Sequence, residues 1–352
     1  MQSPRIKTPA SPAPTREPVL IDLALQGGGS HGAFTWGVLD RLLEEPWIKI
    51  DGISGTSAGA MNAAVMVDGY AAGGPEGARK ALHNFWHRVG IGAQLSPFRR
   101  SMIDMLLGRW SLDHSPVYLT MDVLGRLFSP YDLNPAGTNP LTPILAECVD
   151  FDRLKQAPIK LFISATNVHT GRGRVFRNAE ITPDVLLASA CLPTMFPAVE
   201  IDGESYWDGG YFGNPAMTPL VRECQSLDTI LVQINPIVRT ETPKTARAIL
   251  NRLNEVAFNA VLMKELRMMA LIRQMPISDV PELKMLAAMR IHRITSETLT
   301  ELGSSSKLNA EWAFLTMLRD EGRKAAEGFL EAHGADLGVR SSFDLEPLLH
   351  GL

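Results

Sequence analysis

The sequence is poor in cysteine: its 352 residues include only Cys148, Cys191 and Cys224. The number is odd, and no pair has the C-x-x-C spacing of a redox motif or a structural zinc site. A disulfide-stabilised secreted domain would need more cysteines in a much shorter chain. We therefore expect three free thiols, packed inside a protein from a reducing compartment.

Long apolar runs and an excess of positive charge are also missing. No stretch approaches the roughly 18 consecutive apolar residues of a transmembrane helix. With 34 Lys and Arg against 38 Asp and Glu, the formal net charge is −4, whereas a domain that binds nucleic acid usually carries a basic face. We expect a cytoplasmic protein without a nucleic-acid partner, for which peripheral contact with a membrane surface stays open.

Residues 1–18 contain five prolines and no apolar run of the length found in secretory signal peptides. A segment of this composition buries too little apolar surface to offset the entropy lost on ordering it. The composition therefore predicts a disordered Pro-rich tail over 1–18, with the folded part beginning at residue 19.

From residue 19 the chain alternates between short apolar runs and amphipathic segments. The runs predict buried strands, and apolar residues at helical spacing predict the helices between them. Strands are predicted over 19–25, 48–53, 159–165 and 229–234, helices over 33–45 and 57–70, and a hairpin over 199–206. This order is typical of a parallel α/β sheet with crossover helices.

Two regions depart from that alternation. Residues 90–150 are rich in proline and irregular, which favours a cap inserted into an α/β domain that spans 19–236. Residues 237–352 are predicted to form a helical C-terminal extension packed on the core, with helices over 244–274 and 305–332.

A glycine-rich loop lies between the first predicted strand and the first helix, with the sequence Gly27-Gly28-Gly29-Ser30-His31-Gly32. Glycines let backbone N–H groups approach an anion closely, and the following helix adds the positive end of its dipole. One interpretation is a dinucleotide site, because the loop fits G-x-G-x-x-G and Asp51 follows about twenty residues later. The other is an oxyanion hole for acyl transfer.

The second motif, Gly55-Thr56-Ser57-Ala58-Gly59, is a G-x-S-x-G sequence between a predicted strand and a predicted helix. A nucleophile elbow holds its serine in a strained turn and needs small neighbours on both sides. The motif therefore predicts Ser57 as a nucleophile. If the two loops lie at one edge of the sheet, the amides of Gly27, Gly28, Gly29 and Ala58 would converge on the same oxyanion.

No histidine is marked by the sequence as the base for Ser57. His83 and His87 are four residues apart on a predicted helix, but residue 84 is Asn, so the zinc motif H-E-x-x-H is absent. We expect no metal site there.

Asp208 has a more suggestive setting, because it ends a strand-like run and precedes Gly209 and Gly210. Burial beside Tyr206 and Trp207 would raise the pKa of its carboxyl group to a value useful for a general base. An ordinary turn aspartate is the alternative that the spacing alone leaves open.

Together these motifs resemble those of the patatin-like phospholipases. The resemblance covers about residues 19–235 and includes a block similar to the family's proline-containing block, Ala188-Ser189-Ala190-Cys191-Leu192-Pro193. The cap and the C-terminal helices are similar to those of a proteobacterial branch of the family.

The resemblance implies a three-layer α/β/α sandwich with a mostly parallel sheet. It also implies a serine lipid acyl hydrolase in which Asp208 is the only base for Ser57, the oxyanion loop spans Gly27–Gly29, and Ala58 adds a further amide. A fatty acid would be released through an acyl-enzyme, without cofactor or metal. The remaining motif positions are Ser30, His31, Gly32, Gly55, Gly59, Gly209 and Gly210.

His31 is a departure, because the family usually has Arg or Lys at this position. The ordinary pKa of histidine is about 6.5, so we expect the role of the cation to be weakened or pH-dependent. Two other functions stay open. One is a non-catalytic lipid-binding or regulatory module on the same scaffold, and the other, which we favour less, is a dinucleotide-dependent enzyme using Gly27–Gly32.

Two apolar segments could contact lipid. Residues 98–110 would suit an interfacial lid, although packing within the cap is the interpretation that we favour. The helix predicted over 244–274 has an apolar stripe, interpreted first as core or as a subunit contact in a homo-oligomer, and second as a membrane surface.

Overall fold

The computed structural model describes residues 16–94, 96, 98–276 and 280–350. Within these residues eight strands form one mixed sheet. The strands are β1 (Val19–Leu25), β2 (Ile48–Gly55), β3 (Lys160–Asn167), β4 (Gly173–Arg177), β5 (Val199–Ile201), β6 (Glu204–Asp208), β7 (Asp228–Val232) and β8 (Arg290–Ile294). β3, β2, β1, β7 and β8 are neighbours in that order and parallel. β4 and β6 pair antiparallel with β3, and β5 with β6.

Helices cover both faces of the sheet. They are α1 (Gly32–Leu42), α2 (Ala58–Gln94), α3 (Met102–Leu106), α4 (Pro116–Leu127), α5 (Pro130–Leu133), α6 (Leu141–Cys148), α7 (Phe151–Lys155), α8 (Pro183–Ser189), α9 (Thr218–Glu223), α10 (Ala246–Gln274), α11 (Pro281–Ala288), α12 (Thr298–Glu301) and α13 (Trp312–His333).

The central strands are apolar on both faces because each face packs on helices. Ile21, Leu23 and Leu25 of β1 belong to a core that α1, α2 and α13 cover, whereas Ala24 belongs to a second core with α9 and α10. The alternation follows the two-residue period of a strand. The predicted α/β/α sandwich with a mostly parallel sheet is confirmed.

Two elements run further than the patterning predicts. β2 continues to Gly55 instead of ending at residue 53, and the helix after Ser57 continues to Gln94. Its helical geometry is interrupted at Gly73 and Gly74, so two helical segments follow one another there. In the region predicted to be irregular, the described residues include the short helices α3 to α6.

The C-terminal extension contains a strand as well as helices. β8 pairs in parallel with β7 and so lies inside the sheet. Its sequence, Arg-Ile-His-Arg-Ile, is too polar to predict a buried strand. Asp228 makes this burial possible, because its carboxylate binds Arg290 at 2.5 Å and His292 at 3.0 Å.

Most of the predicted Pro-rich tail, residues 1–15, lies outside the described residues. Arg16 lies within them and packs on the folded domain: its guanidinium donates to the Gly334 carbonyl at 2.7 Å and stacks 3.6 Å from the centre of the Trp47 ring. Among the described residues, none of the helices carries an apolar stretch that could span a lipid bilayer.

Candidate active site

The two glycine motifs meet because β1 and β2 are parallel neighbours whose carboxyl ends share one edge of the sheet. Leu25 is paired with Gly55 at that edge. Ser57 follows in a turn with a positive φ of 54°, an unusual conformation for a residue other than glycine. The N–H of Ser57 donates to the Ser189 hydroxyl at 3.0 Å. The turn thus has the strained geometry of a nucleophile elbow.

The glycines of the motifs are required by close packing. At all eight of them, an added Cβ would lie less than 3.0 Å from a neighbouring heavy atom. A Cβ on Gly27, for example, would lie 2.6 Å from the Cβ of Ser57. The glycine loop therefore lies directly against Ser57. The eight positions are Gly27, Gly28, Gly29, Gly32, Gly55, Gly59, Gly209 and Gly210.

Hydrogen bonds fix the first peptide of this loop. The Gly27 N–H donates to Asn214 Oδ1 at 2.6 Å, and the Gly27 carbonyl accepts from Asn235 Nδ2 at 2.6 Å. The amide of Gly27 is therefore already engaged. Of the four amides predicted for the oxyanion hole, those of Gly28, Gly29 and Ala58 have no acceptor within the described residues. These three can donate to a developing oxyanion.

Asp208 is brought to Ser57 by the antiparallel pairing of β6 with β3, in which Asp208 faces Ala165. Its N–H donates to the Cys191 carbonyl at 2.8 Å, and its Oδ1 accepts from the Gly210 N–H at 2.7 Å. The Ser57 side chain lies close enough to the carboxylate to lower its pKa. The two predicted catalytic side chains are therefore adjacent.

The carboxyl group of Asp208 is buried, with only 3% of the residue exposed. Burial raises its pKa from 3.8 to about 7, although the hydrogen bonds from Gly210 and Ser57 favour the ionised form. A carboxylate with such a pKa is a much stronger base than an exposed aspartate, and part of it is still ionised near neutral pH.

No histidine hydrogen-bonds to Ser57 or Asp208 within residues 16–350 as described. His292 binds Asp228 in the sheet, and His114 and His169 bind Asp104 and Glu204. His83 and His87 stack on each other, with ring centroids 6.1 Å apart. Asp208 is thus the titratable group in contact with the serine.

The chain matches the model of the patatin-like phospholipases over residues 23–221, more than half of its length. It belongs to this family. No curated protein sequence matches it significantly. A solved structure that is similar is VipD from Legionella pneumophila, with 15% identity, a TM-score of 0.35, and coverage of 87% of this chain and 67% of that one. Membership in the patatin-like family supports a lipid hydrolase function in general.

His31 differs from the expectation of a pH-dependent group. Only 2% of the residue is exposed, its Nε2 lies 2.7 Å from the Ser306 hydroxyl, and its Nδ1 has no partner in the described structure. Burial lowers its pKa well below 6.5, and the nearby cations Lys307 and Arg239 lower it further. His31 is therefore neutral near pH 7. Ser30, in the same turn, is buried.

The dinucleotide interpretation is not supported at Asp51. This residue was expected at the end of the second strand, where it could meet a ligand, but β2 continues for four residues beyond it. Its carboxylate binds Lys160 at 3.0 Å. Asp22, Asp51 and Cys224 come close enough together to hold a metal ion. Lys160 already supplies a positive charge to that group, which lies away from Ser57.

Sequence reasoning missed the residues that support the site. Gln26 accepts hydrogen bonds from the N–H groups of Ile234 and Asn235 through Oε1, and donates to the Asn214 carbonyl. Asn214 and Asn235 each precede a proline, and Asn235 directly follows a predicted strand; these were the available signals. Ser189 lay in the recognised block, but nothing assigned it a role.

Proposed function

We propose that this protein hydrolyses carboxylic esters of lipids with a Ser57–Asp208 dyad. The observation that carries the proposal is a buried aspartate adjacent to a serine in a strained turn. Burial raises the pKa of this aspartate to about 7. Such a carboxylate supplies the base that a histidine supplies in a triad.

In the first half-reaction, Ser57 Oγ attacks the ester carbonyl carbon while its proton passes to the Asp208 carboxylate. Negative charge develops on the carbonyl oxygen, and the amides of Gly28, Gly29 and Ala58 stabilise it. The tetrahedral intermediate then expels the alcohol, which takes the proton from Asp208. An ester between Ser57 and the fatty acyl group remains.

Water completes the cycle. Asp208, ionised again, takes a proton from the attacking water, and the same amides stabilise the second oxyanion. When this intermediate breaks down, Ser57 Oγ recovers the proton from Asp208 and the fatty acid is released. Neither half-reaction requires another base, metal or cofactor.

Exposed apolar side chains on α3 and α10 favour a lipid surface as the source of the substrate. On α3, Met102 is 70% exposed and Leu106 is 83% exposed, whereas Asp104 between them is buried. The stripe on α10 divides: Leu253 is 58% exposed, whereas Leu266 is buried in the core. Exposed apolar groups of this kind are typical of interaction surfaces.

The first half of α10 reaches the catalytic residues. Phe258 on α10 packs on Tyr211, three residues after Asp208, with ring centroids 5.1 Å apart. Arg247, also on α10, lies 3.7 Å from Asp122 on α4 and so joins α10 to the cap. We propose that α3 and the first half of α10 contact the membrane surface from which a lipid reaches Ser57.

Ser57→Ala tests the proposal with p-nitrophenyl butyrate and with phosphatidylcholine vesicles as substrates. We expect kcat to fall by at least about a thousandfold and labelling by a fluorophosphonate to disappear. Tm should change little, because the hydroxyl group has no packing role. Equal turnover by wild type and variant would reject a hydrolase at this site. A wild type that binds vesicles without hydrolysis or labelling would favour the non-catalytic alternative.

A further inference from the structure

The C-terminal extension contributes a turn to the wall of the oxyanion loop. This turn, Ser304–Leu308, packs on the loop turn Gly29–His31. Gly29 has a φ of +58°, and an added Cβ would lie 2.4 Å from the Lys307 carbonyl oxygen. The two turns are therefore in direct backbone contact.

The side chain of Lys307 extends this contact towards the nucleophile. Its ammonium donates to Asn235 Oδ1 at 2.8 Å. On the other side of the same amide, Asn235 Nδ2 donates to the Gly27 carbonyl at 2.6 Å. Only two hydrogen bonds thus separate the positive charge of Lys307 from the peptide that lies against Ser57.

The orientation of that peptide decides where one of the oxyanion donors points. The Gly27 carbonyl and the Gly28 N–H belong to the same planar trans peptide, in which the C=O and N–H bonds point in opposite directions. Holding the carbonyl on Asn235 therefore directs the Gly28 N–H away from Asn235, with no acceptor in the described structure. An ammonium group only donates, so Lys307 also fixes which atom of the Asn235 amide faces it.

Lys307 is not needed to neutralise the acidic residue near it. Glu255 already binds Arg239 at 2.7 Å and Arg252 at 3.1 Å. Lys307 is half-buried, and partial burial of an ammonium carries a desolvation cost that a single neutral hydrogen-bond partner offsets only in part. Because Lys307 is costly to desolvate and is not needed to neutralise Glu255, we favour a functional role for it over a stabilising one.

We infer that Lys307 is a positioning residue of the oxyanion hole, which orients the Gly27–Gly28 peptide through Asn235 and places a positive charge behind it. The inference rests on the proposed acyl transfer at Ser57. The electrostatic contribution of Lys307 grows as negative charge develops on the oxyanion. Lys307 therefore accelerates the chemical step and leaves substrate binding nearly unchanged.

Lys307→Met tests this inference, because methionine fills a similar volume without charge or donor. With p-nitrophenyl butyrate we expect kcat to fall about 10- to 100-fold, less than or equal to the loss of one direct oxyanion donor, and KM to stay within about twofold. Tm should stay the same or rise, because a half-buried charge has been removed. Lys307→Arg, which keeps the charge, should restore most of the activity. Lys324→Met removes a lysine from an exposed position on α13 and should behave as wild type.

The pH profile gives a second readout. Burial and Arg239 lower the pKa of Lys307 below its ordinary 10.5, while Glu255 opposes the shift. Burial raises the pKa of Tyr211 above 10.0 and that of Cys191 to about 12, so these neighbours of Asp208 titrate at a higher pH than Lys307. His31 is neutral at these pH values. Wild type should therefore lose activity as the pH rises through the pKa of Lys307, and Lys307→Arg should not.

The outcomes separate the inference from the function on which it rests. If Ser57→Ala is inactive and Lys307→Met keeps the wild-type kcat, the inference is wrong and the hydrolase is retained. If kcat falls only in proportion to lost folded protein, with no rescue by Lys307→Arg, Lys307 is merely structural and the inference is again wrong. If Ser57→Ala retains activity, the proposed function itself fails.

Discussion

Asp208→Asn separates the proposed catalytic role of the carboxylate from its effect on folding. Asparagine keeps the shape of the side chain, and its Oδ1 can still accept the 2.7 Å hydrogen bond from the Gly210 N–H. It cannot take a proton from Ser57. We therefore expect kcat to fall by at least about a hundredfold, the low end for general base catalysis. Residual activity above background is expected because the oxyanion amides remain.

The same substitution should stabilise the protein at neutral pH. Burial raises the pKa of Asp208 from 3.8 to about 7, so between these values the folded protein holds a proton that the unfolded chain has lost. Ionisation of this group therefore lowers the free energy of unfolding of the wild type as the pH rises, and the decrease reaches about 4 kcal/mol above pH 7. Asparagine does not titrate, so the variant does not incur this loss.

Urea unfolding at pH 5 and pH 8 measures the effect. We expect the difference in unfolding free energy between Asp208→Asn and wild type to grow by about 2–3 kcal/mol over this interval. Burial also raises the pKa of Asp22, to about 8. Both proteins contain Asp22, so its effect on the unfolding free energy cancels in the difference between them. A difference that does not vary with pH would refute the buried, proton-holding carboxyl group.

Activity provides the other refutation. His87 and His169 are exposed, and their replacement by alanine should leave most of the turnover intact. A folded and fully active Asp208→Asn variant, together with an inactive histidine variant, would overturn the dyad. Circular dichroism of each variant serves as the folding control.

Two further predictions follow from the surroundings of the site. His31→Gln should keep kcat within about threefold and leave the acid limb of the pH–rate profile, near pH 7, unchanged. The reason is that Asp208 titrates there, whereas His31 is neutral. A shift of this limb in the variant would contradict the prediction. Replacing both Leu106 and Leu253 by serine should lower the rate of hydrolysis of phosphatidylcholine vesicles by at least about tenfold, because apolar contact with the vesicle is lost. Hydrolysis of p-nitrophenyl butyrate is the control and should be unchanged. Equal losses on both substrates would argue against a membrane surface.

The main features of the site were predictable because they depend on local sequence and on parallel strand pairing. The glycine loop and Ser57 each follow a strand, and neighbouring parallel strands bring such loops together. Asp208 could be proposed as the base from its two following glycines and from the family resemblance. The sequence pattern also indicated the mostly parallel sheet flanked by helices.

Other features depend on contacts between distant segments and could not be predicted in this way. The neutral state of His31 follows from its burial against Ser306, which no local pattern reveals. The polar sequence of β8 hides a buried strand, because its charges are balanced by Asp228 on β7. Asn214, Asn235 and Lys307 support Gly27 from positions far along the chain.

The distribution of charge around Ser57 suits an aspartate that works alone. A cation beside Asp208 would lower the pKa of its carboxyl group and make it a weaker base. Its pKa is instead set by burial and by two uncharged donors, the Gly210 N–H and the Ser57 hydroxyl. The cations are found behind the glycine loop, where Lys307 contacts Asn235 and Arg239 contacts Glu255. In the proposed mechanism, positive charge therefore lies behind the oxyanion loop, out of contact with the base, so it can assist charge stabilisation without weakening the base.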